Sequence, residues 1–239
     1  SALVTGGTRG IGRAIALRLA RDGVTRLALG YMRNDAAAEA TAQELRDLGC
    51  EVVLVRGNIT SEKVLEQVAA LGPLDILVHN AATGVARPAI ETEDKHWDWT
   101  MNANARAFLS LVRTCAPQLA PGAAVVALSS LGAGRVLPNY TLVGASKAAL
   151  EALVRYLAVE LAPAGVRVNA VSAALVETGA LEAFANKDEM LVAARSKTPA
   201  GRMVEVDDVA GAVSFLCSPD AQMVRGHVLV VDGGFSLPI

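Results

Sequence analysis

Three side chains in the middle of the chain are typed and spaced for proton chemistry. Tyr140 and Lys147 lie seven residues apart in "PNYTLVGASK", and Ser130 ends the apolar run "AAVVALSS". Phenol and alkyl hydroxyls donate hydrogen bonds to a developing oxyanion. An ammonium nearby is expected to favour phenolate character and to help a proton move. The stretch reads as a helix over 139–162, with Asn139 after Pro138 as its N-cap and Tyr140 already inside it. Seven helical residues return to within roughly 20° of the start and four to within roughly 40°, so either spacing shares a face. The axial offsets are roughly 10 Å and roughly 6 Å. Val143, four before Lys147, has nothing to donate. Singly, Tyr140 reads as packing at a helix start, Lys147 as a solvated charge and Ser130 as a strand-end cap. Their order along one chain argues for a site. Tyr156, beyond the lysine among apolar residues, reads as core or interface.

A second group sits at the start of the chain. In "LVTGGTRGIG", Gly6, Gly10 and Gly12 follow an apolar strand and open a helix, with Thr8, Arg9 and Ile11 in the same turn. Glycines allow the tight turn, and N–H groups at a helix N-terminus receive a pyrophosphate. An ordinary glycine turn is the plainer reading; its place between first strand and first helix favours a dinucleotide. The second strand ends in "LALGYMRNDAAAE", with Arg33 close behind and no acid at its tip. An acid there would hold a ribose hydroxyl, whereas guanidinium forks from Arg33 and Arg9 suit a 2′-phosphate. The expected cofactor is therefore NADPH. Asp35 reads as a helix-start residue. "GNI" brings Asn58 and Ile59, and "HNAA" brings Asn80, Ala81 and Ala82, to the ends of the third and fourth strands. Asn58 is a candidate for the adenine, and Asn80 for bracing the turn beside the ribose or capping its strand.

These groups need a sheet to carry them. Strands are read at 2–5, 26–31, 51–57, 75–80, 123–130, 166–172 and 227–233. Helices are read near 10–22, 35–48, 61–71, 93–118, 139–162, 180–196 and 205–217. Several strands are apolar without alternation, as parallel strands covered on both faces are. Strand–helix alternation without linker or repeat predicts one domain over 1–239, an α/β doubly wound parallel sheet of Rossmann type. Gly72-Pro73, Pro121-Gly122 and Ser218-Pro219 read as turns. The segment from about 179 to 203 breaks the rhythm and reads as a cap on the substrate site. Leu181, Phe184, Ala185, Met190 and Leu191 suit either an apolar wall for an acyl chain or simple packing.

Composition narrows the classes. The net charge is −2, which gives no bulk attraction to nucleic acid or an acidic membrane surface. No apolar run approaches the ~18 residues of a spanning helix, and no signal peptide is read. The chain opens inside a strand, so residues are expected to precede it. Cys50, Cys115 and Cys217 are odd in number and lack CxxC spacing, and the histidines are scattered. A reduced cytoplasmic protein without a metal is expected.

With glycine turn, strand-end Asn, strand-end Ser and helix Lys in order, the whole chain resembles the short-chain dehydrogenase/reductase superfamily. "TPAGRMVEVDDVAGAVSFLCSP" and "VRGHVLVVDGG" are similar to its last helix and strand. The resemblance implies a seven-stranded sheet and, commonly, a homotetramer, which the apolar girth of "SKAALEALVRYLAVELA" suits. Many members carry Tyr and Lys four apart. The Tyr140–Lys147 spacing instead resembles the enoyl-acyl-carrier-protein reductases, as do "HWDWTMNANARAF" and the block from Leu128 to Leu161. The nearest resemblance is to the NADPH-dependent enoyl-ACP reductase III type, which is similar to this chain in having serine at position 130. The family pattern then assigns Lys147 to the nicotinamide ribose and matches Asn104 to the usual asparagine of a water relay. It also assigns the Val176 backbone to the carboxamide and Thr178 to the phosphates, although Thr178 also reads as a helix cap.

Chemistry agrees with the altered spacing. A ketone takes hydride on the carbon that bears its oxygen, so its proton donor sits beside the hydride site. An enoyl thioester takes hydride at the β-carbon, and charge appears on the thioester oxygen further along. A hydroxyl one turn further from the lysine meets that need. The expected substrate is an acyl thioester on acyl carrier protein or CoA, with Arg195, Lys197 and Arg202 as candidates to meet an acidic carrier. The alternatives are a carbonyl reductase and a non-catalytic NADPH-binding regulator.

Overall fold

The computed structural model describes residues 1–179, 181 and 187–237. Seven strands are found: β1 (Ala2–Thr5), β2 (Arg26–Tyr31), β3 (Glu51–Arg56), β4 (Leu74–His79), β5 (Leu119–Ser130), β6 (Arg167–Ala173) and β7 (Val228–Val231). They form one sheet in the order β3-β2-β1-β4-β5-β6-β7, with every pairing parallel. The chain winds outward from β1 to β3, then returns to the other side of β1 with β4. That reversal opens a crevice at the carboxyl ends of β1 and β4, where ligands bind in such sheets.

The unbroken apolar strands follow from two cores. Val4, Leu29, Val78, Val126 and Val171 point into one, against α1 (Gly10–Arg21) and α8 (Val206–Cys217). Their neighbours Leu3, Ala28, Leu77, Val125 and Ala170 point into the other, against α3 (Glu62–Ala69), α5 (Ala107–Cys115) and α6 (Thr141–Glu160). Alternate residues face opposite layers, so neither face of the inner strands can be polar. α2 (Asp35–Asp47) lends Leu45 to the first core.

Several sequence expectations change. The helix read over 93–118 is α4 (Asp94–Met101), a π-helical turn at Asn102–Arg106, and α5. Pro121-Gly122 lies within β5, where the register with β4 shifts between Leu74 and Ile76 and Gly122 takes φ +90°. A bulge absorbs the proline, whose missing N–H would break a regular ladder. α6 starts two residues late. Asn139 adopts the left-handed conformation, φ +59°, so it turns the chain and does not cap the helix. Tyr140 is the N-cap residue, and its carbonyl accepts the Gly144 N–H at 2.7 Å. The tyrosine still sits at the head of the helix, but with non-helical dihedrals. Tyr156 is 70% exposed, which removes it from the core. In the segment after β6, α7 spans Lys187–Lys197; Phe184 and Ala185 lie outside the described residues.

Candidate active site

The glycine turn closes on itself so tightly that only hydrogen fits. Gly6 and Gly10 hold φ of +63° and +52°, and a Cβ on Gly12 would lie 2.0 Å from the Gly6 carbonyl oxygen. Asn80 braces this turn: its Nδ2 donates to the carbonyls of Thr5 and Gly6, each at 3.1 Å. The backbone N–H groups of Asn80 and Ala81 both donate to the Thr5 hydroxyl. Thr8 is buried, and its carbonyl accepts the Thr41 hydroxyl at 2.9 Å, which ties the turn to α2. Arg9 is the N-cap of α1, the first helical bond runs from Arg13 N–H to the Arg9 carbonyl, and no acid stands in the first turn. The N–H groups of Gly10, Ile11 and Gly12 therefore lack acceptors within the helix and end in a positive dipole. From the far side, the Thr178 methyl would lie 3.4 Å from a Cβ on Gly10, so the loop after β6 arches over the turn. Val176 anchors that loop by a backbone bridge to Val204. A cradle of amides with no room for side chains fits a dinucleotide pyrophosphate.

Arg9 and Arg33 are both exposed, at the carboxyl ends of the neighbouring strands β1 and β2. Asp35 opens α2 and is held by the Tyr31 hydroxyl at 2.8 Å and by Arg56 at 3.3 Å. Asn58 is exposed, with its side-chain carbonyl accepting the Thr60 N–H. Its amide nitrogen is left to donate to a ligand. Ile59 packs against the second core, and Ala82 is exposed beyond β4.

At the other side of the crevice, Lys147 is 5% exposed, and its ammonium donates to the Leu128 carbonyl at 2.6 Å. Burial lowers its pKa to about 8 against the upward pull of Glu151, which accepts the Ser129 hydroxyl at 2.6 Å. Tyr140 Oη donates to Ser130 Oγ at 3.3 Å, and Gly132 N–H donates to the same oxygen at 3.3 Å. Ser130 then has its own hydrogen left to donate elsewhere. Burial pushes the Tyr140 hydroxyl above its ordinary pKa, with the Ser130 bond pulling the other way. The expectation of phenolate character is thereby corrected: burial dominates and keeps the donor protonated. The tyrosine ring lies over Gly132, where a Cβ would meet it at 2.5 Å. Val143 is buried, and a Cβ on Gly84 would lie 2.2 Å from its Cγ2, so its methyl fills the room of a side chain at 84.

Asn104 is fully buried in the π turn. Its side chain clasps the Thr83 backbone through both N–H and carbonyl, and its Nδ2 also reaches Ser146 Oγ at 2.8 Å. Sequence reasoning missed His79, Ser146 and Glu151. His79 was one of three scattered histidines; its only signal is its place directly before Asn80. An open groove of about 420 Å³ adjoins Tyr140, lined by Leu131, Arg135, Val136, Leu137, Phe235 and Ser236. Its apolar wall thus comes from the loop after β5 and the end of the chain. In the expected cap, Leu181 and Leu191 are buried. Arg195 pairs with Glu177 at 3.2 Å and Arg202 with Asp208 at 2.6 Å, so both already have acidic partners.

A family model described as enoyl-(acyl carrier protein) reductase matches residues 6–236. The chain is 37% identical to a 1-cyclohexenylcarbonyl-CoA reductase of Streptomyces collinus, over 98% of this chain and 86% of that one. It is 31% identical to a 3-oxoacyl-[acyl-carrier-protein] reductase of Staphylococcus epidermidis, over 98% of each chain. A short-chain dehydrogenase of Burkholderia cenocepacia, solved with NADP, superposes with a TM-score of 0.90 at 34% identity, over 98% of this chain and 96% of that one. With the parallel sheet, the glycine cradle and the strand-end and helix residues in one crevice, these matches make the chain a member of the short-chain dehydrogenase/reductase family, on the branch whose model carries the enoyl-(acyl carrier protein) reductase description.

Proposed function

We propose that this oxidoreductase reduces the carbon–carbon double bond of a trans-2-enoyl thioester, carried on CoA or acyl carrier protein, with NADPH. The observation that carries the reading is the separation of donor from lysine. The position four before Lys147 is an aliphatic side chain sealed against Gly84, while two hydroxyls, Tyr140 and Ser130, stand together at the head of α6. The 1-cyclohexenylcarbonyl-CoA reductase relative supports an enoyl-CoA substrate, and the NADP-bound neighbour supports the cofactor.

NADPH, when bound, supplies hydride to the β-carbon. The glycine turn, braced by Asn80, holds its phosphates together with Thr178, and Arg9 and Arg33 hold the 2′-phosphate. Asn58 meets the adenine, and the Val176 backbone meets the carboxamide. Lys147 holds the ribose and sets a positive charge behind the reacting centre. As charge moves to the thioester oxygen, Tyr140 and Ser130 donate to it together. A protonated Tyr140, kept so by burial, is the form this task needs. Asn104 braces the helix one residue before Lys147 through Ser146. The groove beside Tyr140 takes the acyl chain. Exposed Trp97 and Trp99 on α4, and Tyr156 and Val159 on α6, leave apolar surface for subunit contacts in a homotetramer.

The deciding experiment follows NADPH oxidation with crotonyl-CoA and with acetoacetyl-CoA. Turnover of the enoyl substrate is expected; selective turnover of the ketone would mean a 3-oxoacyl-type reductase, and no turnover a regulator. Tyr140→Phe is expected to lower kcat by about 10²–10³-fold, the usual effect of removing one oxyanion donor, with NADPH affinity unchanged. Arg33→Ala is expected to cut the preference for NADPH over NADH by about tenfold or more, since a charge-assisted hydrogen bond contributes roughly 1.5–3 kcal/mol. Lys147 gives a pH signature. As pH rises through about 8, the free protein loses the ammonium, and kcat/KM for NADPH is expected to fall. Stability runs the other way. Between about 8 and the ordinary lysine value the unfolded chain holds a proton that the folded one has lost, so this group's contribution to stability rises with pH. Denaturation of the apo-protein should find any advantage of Lys147→Met over wild type shrinking by roughly 3 kcal/mol from pH 7 to roughly 10.5.

A further inference from the structure

His79 is fully buried at the end of β4, beneath both halves of the site, and no role above uses it. Its Nε2 faces the Asn104 backbone carbonyl at 3.2 Å, and its Nδ1 faces the Thr5 hydroxyl at 3.4 Å. The hydrogens follow by counting. A carbonyl only accepts, so Nε2 carries a proton. The Thr5 oxygen accepts from the N–H groups of Asn80 and Ala81, each at 3.1 Å, which uses both of its lone pairs. Its own hydrogen is left for Nδ1, which must then be bare. Both neighbours select the same neutral tautomer. Burial and the Lys147 charge oppose a second proton, lowering the pKa of the ring to about 3. The ring of Phe108, tilted by 34° with centroids 5.6 Å apart, limits rotation of the imidazole.

We propose that His79 is a positioning residue that locks the glycine turn to the Asn104 π turn through a single Nε2–H tautomer. The connection is continuous. Asn80 holds the Gly6 carbonyl, and the Asn80 and Ala81 amides hold the Thr5 hydroxyl. The Thr5 hydroxyl donates to His79, and His79 donates to the Asn104 carbonyl. Asn104 reaches Ser146, the neighbour of Lys147 on α6. The distance between phosphate cradle and ribose-holding lysine is thereby set by hydrogen bonds whose direction cannot reverse. A glutamine carboxamide has one donor and one acceptor end and can keep both contacts; an aliphatic side chain keeps neither.

Two measurements test this. Nitrogen-15 NMR of the ring in the wild-type protein needs no substrate, so it stands or falls apart from the proposed function. An Nε2–H tautomer that stays neutral at pH 6–7 is expected; an Nδ1–H tautomer or a protonated ring overturns the proposal. Kinetics then use NADPH and the thioester that the wild-type protein reduces. His79→Leu is expected to lower kcat by about 10- to 100-fold, as a misplaced reacting group does, and His79→Gln to recover most of it. A folded His79→Leu variant with wild-type kcat overturns the proposal. So does a His79→Gln variant with kcat lowered about 10- to 100-fold, the full loss of a misplaced group, because that loss would belong to the imidazole itself. If His79→Leu does not fold, the NMR result and His79→Gln decide.

Discussion

The structure around the site depends on keeping one ammonium out of water. A buried lysine is costly unless hydrogen-bonded and balanced. The Leu128 carbonyl supplies the bond, and Glu151, tied to Ser129, supplies the balance. These partners come from consecutive residues at the end of β5 and from the helix that carries Lys147 itself. The need to hold the charge thus fixes α6 against β5. Ser130 follows directly in the chain, and Tyr140 is held over Gly132 by the loop that joins strand to helix. The two hydroxyls are where they are because the lysine is where it is.

The two ends of the crevice obey different constraints. At the glycine turn the limit is steric: the Gly6 carbonyl occupies the place of a side chain at 12, so the backbone amides approach any ligand unscreened. At the Lys147 end the limit is electrostatic, set by burial of Lys147 and Tyr140. The first favours an anionic phosphate and the second a developing anion, which is what the proposed placing of a dinucleotide with its nicotinamide end at Lys147 asks of them.

Much of this was legible in the sequence because it is local. Apolar runs gave the seven strands, since strands buried on both faces admit no polar alternation. The glycine spacing gave the cradle, and the Tyr140–Lys147 spacing put the tyrosine at the head of the helix that carries the lysine, although helical arithmetic stops short of Tyr140, which is the N-cap. What was illegible arises across the fold. Asn139 looked like a cap because asparagine caps helices; asparagine also tolerates the left-handed conformation it takes here. Pro121-Gly122 looked like a turn, but the partner strand β4 absorbs it as a bulge. His79 carried no periodic or motif signal, because its partners Thr5 and Asn104 lie 74 and 25 residues away. The groove wall from Phe235 depends on the chain's end returning to the loop after β5.

The π turn at Asn102–Arg106 acts as a phase shifter between two helices. One extra residue in a turn rotates everything beyond it by roughly 100° about the axis. α5 can therefore bury Phe108, Leu111 and Cys115, while α4 shows Trp97 and Trp99 to solvent and still packs Thr100 inward. An uninterrupted helix could align α4 or α5 with the sheet, but not both. The irregular turn also aims the Asn104 carbonyl at His79 and its amide at Thr83 and Ser146. The length of this segment is consequently as constrained as its composition: removing one residue would restore a regular helix and turn Asn104 away from the crevice it braces.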